Sequence, residues 1–445
     1  MLQWIAYFAF GFAALFGLLL GVSLLQTTKK KSLKVRKKIR TMRRLYGAVT
    51  VLFLVAGLVL QFMAMPRQQI KTFIDSGSPV EAYQSALKVS DAEKAYSYLP
   101  QQIYAVENDY YIATGKNNVY GHLAITEQVD GKENLVYKNG LSYQKVLKVA
   151  GGDGILAVLD TKNQLTVNGA FEYLQYERDD TAFKNKVFSR NCDQVDGSSN
   201  NLFYIAEGDL YSVGYNAFGQ LGDGTERNRT QSTKIMSNVA TVSTSETHTL
   251  VVDVHGNLYG FGSNSYSEMG NRTTAQSITP IKLMTGVRQA EAGRNFSIVL
   301  TKNGVVYAAG RNHLGQLGTG DNRDYANYQQ ILEGVVKIAV RGNSCAALTA
   351  TGSLYVWGDN AAGQLGVSGT FLTEPTLVAT DVYDVAMGKS SMGVIKLNRD
   401  VYVTGTARLV QNLELFQAVY QFNATVPTAY TYRETVTMPT RPDGA

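Results

Sequence analysis

Residue types that mark catalytic chemistry or covalent bracing are scarce in this chain of 445 residues. It has two cysteines, Cys192 and Cys345, and four histidines. Two cysteines exclude a small domain held together by disulfides, and the scattered histidines have no cysteine beside them to complete a metal-ligand pattern. No GxSxG, HExxH or phosphate-loop motif occurs. We therefore expect neither an enzyme nor a metal or organic cofactor.

A net positive charge is also absent from most of the chain, although the formal net charge of the whole is +6. Residues 1–99 hold 14 basic and 4 acidic side chains, whereas residues 100–445 hold 28 basic and 32 acidic ones. The large C-terminal part therefore has no positive field that would attract phosphates. We expect no nucleic-acid partner.

Two long runs without a charged residue lie near the N-terminus, from Trp4 to Leu25 and from Leu45 to Met65. As a helix each would be roughly 32 Å long, enough to cross a hydrocarbon layer of ~30 Å. The sequence predicts a transmembrane helical hairpin over residues 1–65. Ala13, Gly17 and Gly21 form a stripe of small residues that favours close helix packing, within one hairpin or between the hairpins of an oligomer.

The segment between the two runs, residues 29–44, is strongly basic and contains no acid. By the positive-inside rule this loop stays in the cytoplasm. The sequence therefore predicts an integral protein of the plasma membrane whose C-terminal domain is extracytoplasmic. The ten residues that fix this topology are Lys29, Lys30, Lys31, Lys34, Arg36, Lys37, Lys38, Arg40, Arg43 and Arg44.

Residues 66–99 predict a short helical connector. Ser78-Pro79 and Ser90-Asp91 are typical helix starts, each with a glutamate in the first turn. The remaining chain divides into a repeat domain over residues 100–433 and a flexible tail over residues 434–445.

The repeat domain contains four segments that align without gaps. The first reads Gly208-Asp-Leu-Tyr-Ser-Val-Gly214, and the last reads Gly352-Ser-Leu-Tyr-Val-Trp-Gly358. The closing glycines are 48 residues apart, and degenerate copies place further ones at Gly115, Gly169 and Gly405. The repeated positions that we expect to be structural are Gly214, Leu221, Gly222, Gly262, Gly310, Leu317, Gly318, Gly358, Leu365 and Gly366.

Each aligned segment follows a β-rich stretch and a short turn, which is the pattern of a β-hairpin. Period and composition together predict a mainly β, seven-bladed β-propeller. Only one plausible strand, Ile103–Val106, precedes the first closing glycine. We therefore expect residues 416–420 and 429–433 to complete the first blade from the C-terminal end, because an open edge strand is a liability.

Three of the repeat segments resemble the repeat of the regulator-of-chromosome-condensation family. They read Gly214-Tyr-Asn-Ala-Phe-Gly-Gln-Leu-Gly222, Gly310-Arg-Asn-His-Leu-Gly-Gln-Leu-Gly318 and Gly358-Asp-Asn-Ala-Ala-Gly-Gln-Leu-Gly366. The resemblance implies a seven-bladed propeller whose end strands share a blade. The founder of that family exchanges nucleotide on a small GTPase, and bacterial relatives include a secreted β-lactamase-inhibitor propeller. Because these motifs are structural, no binding or catalytic residue is carried over.

Four arginines, Arg227, Arg229, Arg272 and Arg323, follow three of the repeat segments at comparable positions. They would lie on one face of the propeller, and arginine is common at protein interfaces. We expect a non-catalytic, membrane-anchored scaffold that binds a protein partner in an envelope or surface assembly. Two alternatives stay open: an extracytoplasmic inhibitor or sensor of a specific enzyme, and a cytoplasmic propeller that acts on a GTPase or signalling protein.

Overall fold

The computed structural model divides the chain into two units, Met1–Tyr98 and Leu99–Ala445. It describes residues 41, 44–45, 49–51, 100–107, 109–114, 119–129, 132–143, 145–152, 154–169, 183–397 and 399–406.

In the first unit the described residues are helical. They include Thr41 and Arg44, which the sequence places in the basic loop, so helix begins before the predicted second span. No helix among the described residues is both long and apolar enough to cross a membrane. The rest of the predicted hairpin and its basic residues, the connector and the 434–445 tail lie outside the described residues.

The second unit consists of antiparallel sheets, which confirms the mainly β propeller. Six of the sheets in the described part have four strands and are called blades 1 to 6. Blades 1 to 3 contain β1 (Pro100–Val106), β2 (Asp109–Thr114), β3 (Val119–Val129), β4 (Lys132–Tyr143); β5 (Val146–Gly152), β6 (Ile155–Asp160), β7 (Leu165–Gly169), β8 (Phe183–Ser189); and β9 (Cys192–Gly197), β10 (Asn201–Ala206), β11 (Asp209–Gly214), β12 (Arg229–Met236).

The second half of the unit continues the pattern and ends in a seventh sheet, of three strands. Blades 4 to 6 and the seventh sheet contain β13 (Val239–Thr244), β14 (His248–Asp253), β15 (Leu258–Gly262), β16 (Ser277–Met284); β17 (Val287–Gly293), β18 (Phe296–Thr301), β19 (Val306–Gly310), β20 (Tyr325–Leu332); β21 (Val335–Arg341), β22 (Ser344–Thr349), β23 (Leu354–Asp359), β24 (Phe371–Ala379); and β25 (Val382–Met387), β26 (Ser391–Lys396), β27 (Val401–Gly405).

The first strand of every sheet lines a central channel, and the fourth strand of each blade lies at the rim. The ring closes where blade 1 meets the seventh sheet. There the backbone N–H of Ile103 donates to Asp384 Oδ2 at 3.0 Å, and the Tyr110 hydroxyl donates to Ser391 Oγ at 2.9 Å. Residues of the two chain ends of the ring thus bond directly.

Blade 1 differs from the sequence expectation. Its four strands all come from residues 100–143, so the prediction that residues 416–420 and 429–433 complete this blade is wrong. Those two segments lie outside the described residues. The strand before position 115, Asp109–Thr114, is the second of its blade and not the third, because residues 119–143 supply two further strands as one long hairpin.

The repeat glycines and leucines hold the blades together. Gly214 ends β11 at φ 125°, and a Cβ there would lie 2.3 Å from the backbone oxygen of Asn200 in the neighbouring turn. Gly222 has φ 72°, and a Cβ there would lie 2.7 Å from the Phe261 ring of the next blade. The other repeat glycines, Gly262, Gly310, Gly318, Gly358 and Gly366, also have positive φ, and Leu221, Leu317 and Leu365 are fully buried.

Candidate protein-binding face

Blades 3 to 6 each carry a loop between the third and fourth strands, which we call the tail. The four tails are residues 215–228, 263–276, 311–324 and 360–370. Because strands alternate in direction, every tail leaves its sheet at the same end as the turn between the first and second strands. This end of the ring is the tail face, and the opposite end, which carries the turns between second and third strands, is the hairpin face.

One buried asparagine pins each tail. In the third blade Asn216 Oδ1 accepts from the backbone N–H of Leu221 at 2.9 Å, and Asn216 Nδ2 donates to the backbone oxygen of Thr225 at 2.9 Å. The same two bonds, to residues five and nine positions on, recur at Asn264, Asn312 and Asn360. Each of these asparagines is at least 97 % buried, so the tails are fixed loops.

A second buried side chain supports the tip of each tail, and its chemistry differs in blade 4. Gln220 Oε1 accepts from the Phe218 N–H at 2.9 Å, while its Nε2 donates to the Glu246 backbone oxygen at 3.0 Å. Blade 4 has Glu268 at this position. One carboxylate oxygen accepts from the Tyr266 N–H, and the other accepts from the Ser263 hydroxyl at 2.8 Å.

The tails of blades 3, 4 and 5 also bond to the following blade. Gly224 N–H donates to the Ile278 oxygen at 2.9 Å, Arg272 N–H to the Ala326 oxygen at 2.8 Å, and Gly320 N–H to the Thr373 oxygen at 2.8 Å. In each case the acceptor lies at the start of the next blade's fourth strand. The tail face is therefore one continuous hydrogen-bonded layer from blade 3 to blade 6.

The four predicted arginines lie on this face, but they are not equivalent. Arg229 Nε is 2.5 Å from Asp223 Oδ2, and the Asp223 side chain is only 1 % exposed. Arg229 therefore neutralises a buried carboxylate of its own tail. Arg227 and Arg272 are exposed, and no described residue provides an acid partner within 4 Å of either.

Arg323 is 81 % exposed and bonds to Asp321 Oδ2 at 2.7 Å. Partial desolvation opposes ionisation of Asp321, but hydrogen bonds from Arg323, Thr319 and Tyr325 outweigh it and lower the Asp321 pKa to about 2. Arg227, Arg272 and Arg323 thus lie in three separate tails, and Arg229 begins the strand that follows the first of them. Arg229 and Arg323 are already paired with tail acids.

The sequence reading missed two exposed aromatic residues at one repeat position. Phe218 and Tyr266 occur 48 residues apart at the tips of the tails of blades 3 and 4, and they are 40 % and 37 % exposed. The Arg311 guanidinium lies 4.7 Å from the centre of the Tyr266 ring, and Tyr215 packs edge-on against Phe218. The alignment of the tails places both at one repeat position, but it does not show that they are exposed.

The central channel, with a volume of ≈ 1020 Å³, is the second candidate site. Its wall joins neighbouring blades through a different pair at each step. Asp196 Oδ2 accepts from the Thr244 N–H at 2.9 Å, and Glu291 Oε2 accepts from the Ser243 hydroxyl at 3.0 Å. Both pairs are separated by 48 residues, a spacing from which the sequence could have indicated them.

Arg341 spans the tail-face end of this channel. From blade 6 its guanidinium donates to Glu107 Oε1 of the β1–β2 turn at 2.6 Å and to the Gly151 oxygen of blade 2 at 3.0 Å. It also donates to the Gly197 oxygen of blade 3 at 3.3 Å. The channel is therefore bridged at the tail face by one side chain.

Burial of the channel acids changes their protonation. Burial, reinforced by the charge of Asp196, raises the pKa of Glu291 to about 7, and burial also raises the pKa of Asp196. In the part of the chain that the structure describes, no group of three or more His, Cys, Asp or Glu side chains is placed to hold a metal ion. Cys192 and Cys345 are buried free thiols.

Comparisons with known proteins agree with the fold. A family model described as regulator of chromosome condensation (RCC1) repeat matches residues 207–252 and 255–300, and a second model with that description matches residues 287–316 and 335–364. No curated protein sequence matches the chain.

Solved structures share the architecture at low identity. Human WBSCR16 is 24 % identical, with a TM-score of 0.56 over 65 % of this chain and 84 % of that one. Yeast RCC1 (Prp20), in a structure bound to Kap60, is 17 % identical, with a TM-score of 0.56 over 64 % and 78 %. Prp20p from Saccharomyces cerevisiae, described with its binding properties to Gsp1p and histones, is 16 % identical, with a TM-score of 0.54 over 71 % and 84 %.

The chain is thus a β-propeller with RCC1 repeats in blades 3 to 6. The solved structures support the propeller fold, and the family models support the repeats within it.

Proposed function

We propose that this protein is a non-catalytic scaffold that binds a protein partner through its tail face. The observation that carries the proposal is the pair Phe218 and Tyr266, which stay exposed on loops that buried asparagines hold fixed. Aromatic and arginine side chains are enriched at the centres of protein interfaces, and a rigid loop loses little conformational entropy on binding. The yeast propeller Prp20p is itself described as binding Gsp1p and histones.

The cellular setting is part of the proposal. The uncharged runs at residues 4–25 and 45–65, with the basic segment 29–44 between them, favour an integral plasma-membrane protein with an extracytoplasmic propeller. Protease treatment of intact cells tests this topology. Loss of the propeller supports the extracytoplasmic setting. Full protection of the propeller, with cleavage after lysis, would instead favour a cytoplasmic propeller.

The binding face is tested by crosslinking and mass spectrometry with two matched double variants of the full chain. Phe218→Ala with Tyr266→Ala removes the exposed aromatics of the tail face. Val254→Ala with Leu397→Ala removes two exposed apolar side chains of the hairpin face and serves as the control. We expect the first variant to lose crosslinks that the second retains. Equal retention of every partner in both variants would mean that the tail face is not the interface.

A further inference from the structure

The rim of the propeller is formed by the fourth strands, whose outer edges present unpaired backbone groups. Such edges invite pairing with another chain, and proteins block them with charged residues or proline. Five of the six fourth strands in the described blades follow this rule. In sequence, these five strands contain Lys132 and Lys138 in β4, Lys184 and Lys186 in β8, Lys234 in β12, Pro280 and Lys282 in β16, and Glu374 and Pro375 in β24.

The exception is β20 of blade 5, which reads Tyr-Ala-Asn-Tyr-Gln-Gln-Ile-Leu and contains neither a charged residue nor a proline. Position 330 shows the contrast best. Gln330 pairs with Tyr307, and at the same ladder position Lys234 pairs with Tyr211 and Lys282 pairs with Tyr259. Blades 3 and 4 therefore place a lysine where blade 5 has a neutral amide.

The free part of this edge is short and well defined. The tail of blade 4 covers the beginning of β20, since Arg272 N–H bonds to the Ala326 oxygen and Asn271 forms a bridge with Asn327. From Tyr328 to Leu332 no strand among the described residues pairs with the outer side. Five residues of neutral edge thus remain beyond the point where the tail ends.

We propose that this edge, Tyr328–Leu332, pairs with the same edge of a second copy of the chain, antiparallel across a two-fold axis at Gln330. The segment is self-complementary in that register. Tyr328 lies opposite Leu332, Gln329 opposite Ile331, and the two Gln330 amides face each other. Cross-strand pairs of this kind stabilise a sheet. Each Gln330 amide also donates to Glu333 Oε1 of its own copy at 2.7 Å, which fixes the side chain beside the axis.

The residues that flank the paired segment are also complementary between the two copies. In this register Glu333 of one copy lies opposite Asn327 of the other, beside the exposed Arg272 that covers that end of β20. The tail of blade 4 acts as a stop that prevents the second strand from sliding further. A second copy thus supplies an acid beside Arg272, which has no acid partner within 4 Å among the described residues of its own chain.

Sedimentation of the purified full chain over a concentration series tests the proposal. Gln330→Lys introduces the residue that blades 3 and 4 carry at this position, so the blade should fold normally, yet it sets two lysines against each other at the axis. We expect the wild type to dimerise and this variant to dimerise at least about tenfold more weakly. Lys282→Gln, the reciprocal change in blade 4, should leave the dimer unchanged.

A cysteine variant gives a positive signal. Gln330→Cys should form an intermolecular disulfide under mild oxidation, because residue 330 faces itself across the axis, whereas Lys282→Cys should not. A monomeric wild type would overturn the proposal. So would a dimer that Gln330→Lys leaves intact, which would point to association elsewhere, for example through the stripe Ala13, Gly17 and Gly21.

Discussion

The tail layer and the channel wall both join neighbouring blades, but they do so with different chemistry. In the tails the same buried asparagine makes the same two bonds in four successive blades. In the channel three junctions use three different pairs that contain an ionisable group: Asp196 with Thr244, Ser243 with Glu291, and Lys337 with Asp384. The repeat therefore preserves neutral amides at one end of the blades, while ionisable groups accumulate around the axis.

This difference shows which side chains the repeat must retain, those of the tails, and which it can vary, those of the channel wall. The tail has many backbone groups to satisfy in one small loop, so few side chains fit. The channel wall only has to bring adjacent first strands together, which any complementary pair can do. Stability from the tail asparagines should accordingly be insensitive to pH, whereas stability from the channel acids should depend on pH.

The largest expected effect is Leu317→Ala in the tail of blade 5. Leu317 is fully buried in a cluster with Phe296 and Trp357. Removing its side chain leaves a cavity and should lower the free energy of unfolding by ~2–5 kcal/mol, equally at acid and neutral pH. Denaturant unfolding followed by tryptophan fluorescence measures it, and a loss well under 1 kcal/mol would contradict the burial.

Gln220→Glu places an ionisable carboxylate, of the kind found in the channel wall, in the tail of blade 3. The new carboxylate would face the Glu246 backbone oxygen, to which Gln220 Nε2 donates at 3.0 Å. Two acceptors would then meet in a buried site, so we expect a loss of about 2–3 kcal/mol at pH 7.

The reciprocal change in blade 4, Glu268→Gln, should cost about 1 kcal/mol or less, because the Ser263 hydroxyl can both donate and accept. The same unfolding assay compares the two variants. Equal losses in both blades would show that Ser263 does not compensate for the acid.

The channel prediction concerns pH. Glu291, with Asp196 and Lys148 as its charged neighbours, has its pKa raised by burial from 4.5 to about 7. The folded chain then holds more protons than the unfolded chain between these values, so stability falls as pH rises from about 4.5 to 7 and levels off above. Glu291→Gln should remove part of this pH dependence. The change in the free energy of unfolding between pH 4.5 and 7 should become smaller by on the order of 2 kcal/mol. Leu317→Ala, which removes no ionisable group, serves as the control and should leave this pH dependence unchanged.

The smallest effects distinguish two arginines of the tails. Arg229→Ala leaves the buried Asp223 carboxylate without its partner and should cost about 1–2 kcal/mol. Arg323→Ala breaks an exposed pair and should change stability by less than ~0.5 kcal/mol. If the order were reversed in thermal unfolding at matched salt, the assignment of Arg229 to the tail and of Arg323 to the free surface would be wrong.

The blades were predictable where the chain repeats itself. Glycines 48 residues apart, followed by Asn and then Gly-Gln-Leu-Gly, constrain turn geometry and core packing at once, so blades 3 to 6 follow from the alignment. Blade 1 was misread because Asp109–Thr114 alternates like any strand, and strand position within a blade is set by what it pairs with. Residues 119–143 supply those partners without a recognisable repeat.

The candidate site was predictable only in outline. The sequence placed Arg227, Arg229, Arg272 and Arg323 on one face, but it could not show that Arg229 is engaged by Asp223, because that contact depends on the folded tail. Phe218 and Tyr266 were overlooked because a strand-rich sequence has many aromatics, and exposure distinguishes these two from core residues such as Phe261. Arg341 bridges residues 234 positions away in sequence, which no local pattern indicates.

The tails of blades 3, 4 and 5 each bond to the first residues of the next blade's fourth strand, so blades 4, 5 and 6 are completed partly by the preceding blade. The unit that can be gained or lost cleanly is therefore the 48-residue stretch that carries one tail and receives one tail. An insertion or deletion of that length keeps the hydrogen bond between each remaining tail and the next fourth strand. It changes only the number of blades in the ring. An insertion or deletion of another length would leave a tail N–H donor or a fourth-strand acceptor without its counterpart. Duplication of whole 48-residue units is therefore the change that this architecture tolerates best.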